Sequence, residues 1–259
     1  MGTIAITGSA SGIGKATRER LEREGHTVIG VDLRDAEVIA DLTTPDGRAA
    51  MVDGVTRASG GVLDGLLAGA GVSGRTHPGE RVIRLNYFGA MATLAGLRPL
   101  LAKGTNASAV AISSNAATTQ PGGADPKAVQ LCLDGDEDGV IEMLAEKGAM
   151  SYAVAKLSLA RWVRRNAVTK DWVGAGIRLN AIAPGIILTP MTEGGLDTIL
   201  NMPNWPRPTE EPGKPEEVAG LIRYLLSEEA RYFVGSFVMM DGGTDAALRP
   251  DDWPNLPSS

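Results

Sequence analysis

A tyrosine and a lysine four positions apart, Tyr152 and Lys156, are the residues best placed to do chemistry in this chain. On a helix that spacing sets a phenol and an ammonium on one face. The cation can then lower the phenol's pKa, and the phenol can exchange a proton with a substrate oxygen. Near the start of the sequence stands a second feature, Thr7-Gly8-Ser9-Ala10-Ser11-Gly12-Ile13-Gly14. Its glycines Gly8, Gly12 and Gly14 follow the pattern G-x-x-x-G-x-G, and such a turn lets backbone amides meet a pyrophosphate. Together the two features imply redox chemistry with a nicotinamide dinucleotide.

The elements that must position these residues are legible as alternating strand and helix patterns. Apolar or β-branched runs predict strands at 3–7, 27–31, 37–40, 62–68, 107–112, 177–182 and 233–240. Helical patterns lie between them at 13–24, 45–58, 81–101, 151–168 and 215–226, the last opening on Pro215. Such alternation predicts an α/β fold over 1–259, a single-domain, doubly wound parallel sheet of Rossmann type with helices on both faces. Ligands in such a sheet bind beyond the carboxyl ends of the strands. Asp32 ends the second strand, where its carboxylate can accept hydrogen bonds from an adenosine ribose and repel a 2′-phosphate. That favours NAD as cofactor. Arg34 argues for NADP, since a guanidinium pairs with phosphate, but it reads better as part of a solvated surface pair.

Two segments break the rhythm, and both exceed ordinary connections. The first, 118–150, is polar and carries Asp134, Asp136, Glu137 and Asp138, with helical pieces expected at 126–133 and 139–147. The second, 186–212, is proline-rich and reads as a lid. Its side chains Ile186, Leu188, Pro190, Met191, Leu196, Ile199, Leu200 and Met202 suit a small apolar alcohol or ketone substrate. Adaptable methionines fit a broad pocket, although a helix lying under a loop needs an apolar face too. The charges in the core of the lid are Glu193 and Asp197, which do not invite a carboxylate.

Composition removes several function classes. The chain has 259 residues, 43% of them hydrophobic and only 4% aromatic, so its core rests on aliphatic side chains. A formal net charge of −6 offers no basic face to nucleic acid or an anionic membrane. Cys132 is the one cysteine, expected to be a small, partly buried hydrophobe; without an internal disulfide the chain is expected to be cytoplasmic. No apolar run reaches membrane-spanning length, and a first strand beginning by Thr3 is expected to leave no room for a signal peptide. His26 and His77 form no ligand-spaced pair, so no metal site is expected. The tail 249–259, with Trp253, would pack over the cleft or a partner subunit, or fray.

With the pieces Thr7–Gly14, Asp41-Leu42, Ala70-Gly71, Asn86, Ser114, Tyr152-x-x-x-Lys156, Asn180–Gly185 with Thr189, and Asp241-Gly242-Gly243, the chain resembles the short-chain dehydrogenase/reductase family over almost its whole length. Within that family Gly30–Leu42, Asn86–Ala90 and the long insert before Tyr152 are similar to bacterial 3α-hydroxysteroid dehydrogenase/carbonyl reductases. The resemblance implies reversible, NAD-linked oxidation of a secondary alcohol, a 3α-hydroxysteroid above all, with reduction of other ketones. Tyr152 would be the general acid and base, Lys156 would tune it and hold the nicotinamide ribose, Ser114 would orient the carbonyl, and Asn86 would hold a relay water. Cofactor contacts would come from Gly8, Ser11, Gly12, Ile13, Gly14, Asp32 and Leu33. Asp41 and Leu42 would flank the adenine, Ala70 and Gly71 the adenosine ribose, and Pro184, Gly185, Ile187 and Thr189 the nicotinamide.

The sequence departs from the family pattern twice. Ala68-Gly69-Ala70-Gly71 lacks the usual paired asparagines, which puts local strand stabilisation in doubt. The 38 positions between Ser114 and Tyr152 exceed the family's spacing and fall where relatives build a four-helix interface. A homodimer is therefore expected rather than a tetramer. Competing readings are the same chemistry on a cis-dihydrodiol, terpenoid or xenobiotic ketone, or a dinucleotide-binding sensor without turnover.

Overall fold

The computed structural model describes residues 1–202 and 205–252, with position 199 described by its backbone alone. Trp253 and the rest of the tail lie outside the described residues. Seven strands form one parallel sheet: β1 Thr3–Thr7, β2 Thr27–Asp32, β3 Val38–Ile39, β4 Gly65–Ala68, β5 Ser108–Ile112, β6 Arg178–Pro184 and β7 Phe237–Met240. Their order is β3-β2-β1-β4-β5-β6-β7. Register is continuous along the centre, with Ile6 beside Gly30 on one flank and Leu67 on the other.

The strands are buried on both faces, and their period of two divides the core. Ile4 and Ile6 of β1, with Val110 and Ile112 of β5, meet Leu21 of helix α1 (Gly12–Arg23) in one layer, which also holds Val218, Ile222 and Leu225. Ala5, Ile29, Val31 and Leu66 face the opposite layer. That layer contains α2 (Pro45–Ala58), α3 (Gly79–Ile83), a π-helical turn at Arg84–Gly89, and α4 (Ala90–Leu101). The single long helix expected at 81–101 is thus broken in the middle, and Asn86 sits inside the break. A π turn widens the helix and disturbs its carbonyl ladder, a device frequent at functional sites.

After β5 come α5 (Ala116–Thr119), α6 (Pro126–Asp134), α7 (Glu137–Leu144) and α8 (Gly148–Ala167). Asp125 caps α6, accepting from the amides of Lys127 and Ala128, and Asp136 caps α7 through the Gly139 amide. Val129, Cys132, Val140 and Leu144 are buried in the same core as Leu159 and Val163 of α8. The insert is therefore folded onto its own chain. Beyond β6 lie two short helices, α9 (Pro190–Glu193) and α10 (Leu196–Leu200), then α11 (Pro215–Leu226) and α12 (Thr244–Leu248). β7 begins four residues later than expected, because Phe233 to Ser236 approach the sheet as a turn, with the Gly235 amide donating to Leu179. No helix among the described residues is long and apolar enough to cross a membrane.

Candidate active site

Strand order reverses between β1 and β4, so the loops after these strands part and leave a crevice. The glycine turn fills its floor. A Cβ on Gly14 would lie 2.0 Å from the Gly8 carbonyl oxygen, and Gly8 itself has φ +75° against the Ala70 backbone, so neither position admits a side chain without displacement. Ser11 begins α1 without a side-chain cap, and no acidic residue occupies the first turn. The helix thus presents amides and the positive end of its dipole to the crevice. That arrangement fits a pyrophosphate.

One continuous cleft collects Gly8, Ser11, Gly12, Ile13 and Gly14 with Asp32, Leu33, Asp41 and Leu42. The same cleft is lined by Ala70, Gly71, Ser114, Tyr152, Lys156, Pro184, Gly185, Ile187 and Thr189. Asp32 is fixed by accepting from the Ala10 amide at 3.0 Å and the Leu33 amide at 2.7 Å. Arg34 does not line the cleft; its side chain is 86% exposed, 3.9 Å from Asp35. Asp41 accepts from the amide and the hydroxyl of Thr43, whose hydroxyl bond holds the carboxyl below its ordinary range. The unusual Ala-Gly sequence after β4 is tied by Thr7 instead, whose hydroxyl accepts from the Gly69 and Ala70 amides.

Lys156 and Tyr152 share a face of α8, with the ammonium 5.6 Å from the centre of the phenol ring. Lys156 Nζ donates to the Ile112 carbonyl at 2.7 Å, while Ser113 Oγ donates to the Lys156 carbonyl at 2.7 Å. This reciprocal clasp sets α8 against the end of β5, where Ser114 follows. Burial lowers the Lys156 ammonium to about 8. Burial also raises the Tyr152 phenol, partly offset by a hydrogen bond with Ser114. Desolvation dominates that shift, and the Lys156 ammonium is not among its causes. Close packing holds Tyr152 from the other side, since a Cβ on Gly74 would stand 2.2 Å from the Gly148 carbonyl oxygen and 2.9 Å from Tyr152 Cβ.

Asn86 does not line the cleft, and its side-chain amide is spent on the backbone of Val72, accepting at 2.8 Å and donating at 2.9 Å. Its side chain thus braces the loop after β4, beside Gly71 and Lys156.

A second cleft, of about 450 Å3, shares Tyr152, Gly185, Met191 and Thr192 with the first. Of the lid residues expected there, Ile186, Met191 and Met202 line it. Leu188 is 40% exposed and Leu196 half-buried, neither lining this cleft, while Leu200 lines a separate hollow against Arg207 and Lys214. The Ile199 side chain lies outside the described residues. Two short helices cannot turn every apolar residue of the segment towards one side. The walls include residues that sequence reasoning missed: Ser73, Gly74 and Arg75 after β4, Asn115 and Gln120 after β5, and Ala149 before Tyr152. Their signal was positional, because most of them follow a strand's carboxyl end.

The family model described as short chain dehydrogenase matches residues 2–125, and one described as enoyl-(acyl carrier protein) reductase matches 140–245. The chain is 39% identical to a 3-alpha-hydroxysteroid dehydrogenase/carbonyl reductase of Comamonas testosteroni, covering 96% of this chain and 99% of that one. It is 31% identical to a cis-4-hydroxycyclohexanecarboxylate dehydrogenase of Sinomonas cyclohexanicum, covering 93% and 95%. The crystal structure of a 3-alpha-hydroxysteroid dehydrogenase from Pseudomonas sp. B-0831 complexed with NADH superposes with a TM-score of 0.88 at 42% identity, covering 96% of this chain and 99% of that one. Likeness sustained at that level from end to end, on a parallel sheet whose crevice gathers the tyrosine, lysine and glycine turn, places the chain in the short-chain dehydrogenase/reductase family, to which it belongs.

Proposed function

We propose that this chain is an NAD(H)-dependent oxidoreductase interconverting a secondary alcohol and its ketone, foremost a 3α-hydroxysteroid, with broader carbonyl reductase activity. One observation carries this reading: Tyr152 stands where the dinucleotide cleft and the 450 Å3 cleft meet. The bound nicotinamide would supply the hydride acceptor or donor. Tyr152, kept neutral by burial, is in the form that donates a proton to a ketone oxygen. Oxidation would need the phenol first to give up its own proton to solvent; the phenolate, stabilised by the Lys156 ammonium, would then take the alcohol proton as the hydride leaves for the bound cofactor. Ser114 hydrogen-bonds the phenol and is placed to hold the carbonyl as charge develops on it. Gly8, Ser11, Gly12, Ile13 and Gly14 would hold the pyrophosphate, and Ile187 and Thr189 the nicotinamide.

NAD is favoured over NADP because Asp32 faces the cleft as a fixed carboxylate while Arg34 lies outside it. The Comamonas relative's name and the NADH complex of the Pseudomonas enzyme support the same substrate and cofactor. We read the whole chain as one catalytic domain that works as a homodimer, since α6 covers part of α8. The deciding experiment follows formation of the reduced nicotinamide with androsterone and with its 3β epimer, each run with NAD and with NADP in parallel. Turnover of the 3α-alcohol alone, faster with NAD, supports the reading. Activity confined to a terpenoid alcohol or cis-dihydrodiol would keep the chemistry and move the substrate. Absence of any turnover with intact NADH binding would leave a sensor.

A further inference from the structure

Among the described residues lining the 450 Å3 cleft, one side chain is charged, and it is a cation: Arg75. Among the described residues no carboxylate stands within ion-pairing distance of it, and its side chain makes one hydrogen-bond-range contact, with the thioether of Met202, 3.8 Å from Nη2. Eleven other arginine side chains among the described residues are answered by a carboxylate or by backbone carbonyls, Arg48 and Arg84 by Glu137 and Arg178 by the end of α11. The lid acids Glu193 and Asp197 do not line the cleft. Around the guanidinium the walls are apolar or neutral, with Pro121, Ile186, Met191, Met202 and Trp205 among them. Arg75 and Met202 belong to this cleft alone, whereas the residues shared with the dinucleotide cleft, Tyr152 included, mark the reacting end. The cleft therefore has polar proton chemistry at one end, an apolar body, and an unanswered positive charge spanning from the wall to the lid.

We propose that Arg75 selects alcohols and ketones with an apolar body and an anionic group, a carboxylate or sulfate ester, distant from the carbon that reacts. The proposal deepens the reading of this cleft as the substrate site and rests on it. An anion entering an apolar cleft loses hydration, and a guanidinium fork returns two charge-assisted hydrogen bonds. A neutral substrate of the same shape gains no such contact with Arg75, whose side chain is exposed at the edge of the cleft. The selection is electrostatic, so it should weaken with added salt.

The test compares lithocholate, a 3α-hydroxysteroid with a side-chain carboxylate, with its primary carboxamide, which has nearly the same shape and no charge. A second pair, 4-acetylbenzoate and its carboxamide, repeats the comparison on a non-steroid ketone. Each member is titrated into the enzyme–NADH complex by nicotinamide fluorescence, which reads binding with or without turnover, and kcat/KM is measured where turnover occurs. The wild type should favour the charged member by about tenfold in at least one pair. Arg75→Gln should bring that ratio near one, and Arg75→Lys should retain part of it, since an ammonium keeps the charge without the fork. The ratio is internal to each variant, so damage to folding or cofactor binding moves both members alike. A wild-type ratio near one in both pairs, or a preference that survives Arg75→Gln, overturns the proposal. Charge preference in the acetylbenzoate pair with no steroid binding would sustain Arg75 as selector and overturn the steroid reading alone.

Discussion

The two sides of Tyr152 are built by different means. On the cofactor side the walls are strand ends and their first turns, cross-linked by Thr7, Asp32 and Asp41 and backed by the buried core. An ion-pair cluster adds to this: Glu137 of the insert accepts from both Arg48 and Arg84, and Arg48 Nε donates to the carbonyl of Leu42, which lines the first cleft. On the substrate side the lid consists of α9 and α10, four and five residues long, with no buried residue in α9. It is joined to the body through the Ile187–Gly213 bridge and a few backbone bonds. The contrast teaches that the first cleft is formed largely by the sheet, while the second cleft rests in part on a lightly held segment. Elements with few buried contacts open at low free-energy cost, which suits a lid.

The comparison can be broken first at its pivot. Tyr152→Phe should lower turnover about a thousandfold, within the range expected for loss of a general acid, while NADH binding by fluorescence titration stays within about twofold. Unimpaired turnover in that variant would remove Tyr152 from the chemistry. Lys156→Met should also abolish useful turnover, and it tests the cost of pre-forming the seat. The Lys156 ammonium is depressed to about 8 in the folded protein against 10.5 for the free side chain. Between those values the unfolded chain binds more protons, so this group's contribution to stability rises with pH there. Below pH 8 the folded state bears the full cost of the buried charge. Cofactor-free Lys156→Met should therefore gain stability over wild type at pH 7 in urea unfolding, and the gap should shrink by pH 10. A gap that widens with pH would contradict the assignment.

A smaller effect is expected at the insert. Glu137→Gln leaves two clustered guanidinium groups without their shared carboxylate and loosens the loop that carries Leu42. NADH affinity should fall by about fivefold, in keeping with loss of one or two charge-assisted bonds acting at second hand. An unchanged dissociation constant would show that the insert braces the fold without touching the adenine end. The smallest effect belongs to the lid: Leu188→Ser should alter stability by less than about 0.5 kcal/mol and leave KM for androsterone unchanged, because Leu188 is exposed and lines neither cleft. A clear rise in KM would return Leu188 to the substrate wall.

How much of this was legible in the sequence follows the same divide. The strands and the cofactor residues could be read because a parallel sheet imposes its own grammar: β-branched runs buried on both faces, then a glycine or acid at the carboxyl end. All the residues expected to meet the dinucleotide sit in one cleft for that reason. The π turn at Arg84–Gly89 was not legible, since its residues have ordinary helix preferences and the break shows only when Asn86 bonds across to Val72. Nor was the Glu137 cluster, whose partners lie 89 and 53 positions away. In the lid, apolar spacing misled. The apolar side chains of 186–202 were read together as one wall, but Gly194 and Gly195 separate two short helices and only some of those side chains line the cleft. Arg75 escaped notice because a charged residue in a loop carries no periodic signal at all.

The clasp between Ser113, Lys156 and Ile112 has a bearing on how such an enzyme can change. Ser114 is the next residue after one end of the clasp, and Tyr152 is one helical turn before the other. The spacing between Tyr152 and Ser114, proposed as proton donor and carbonyl holder, is thus set by β5 and α8. Rewriting only 193–202 by directed evolution, which spares Ile187 and Thr189 in the dinucleotide cleft, should therefore move preference among substrates without first costing Tyr152 its alignment. Selectivity and turnover should then be separable in this chain, and a library confined to those positions can explore one while the other is held.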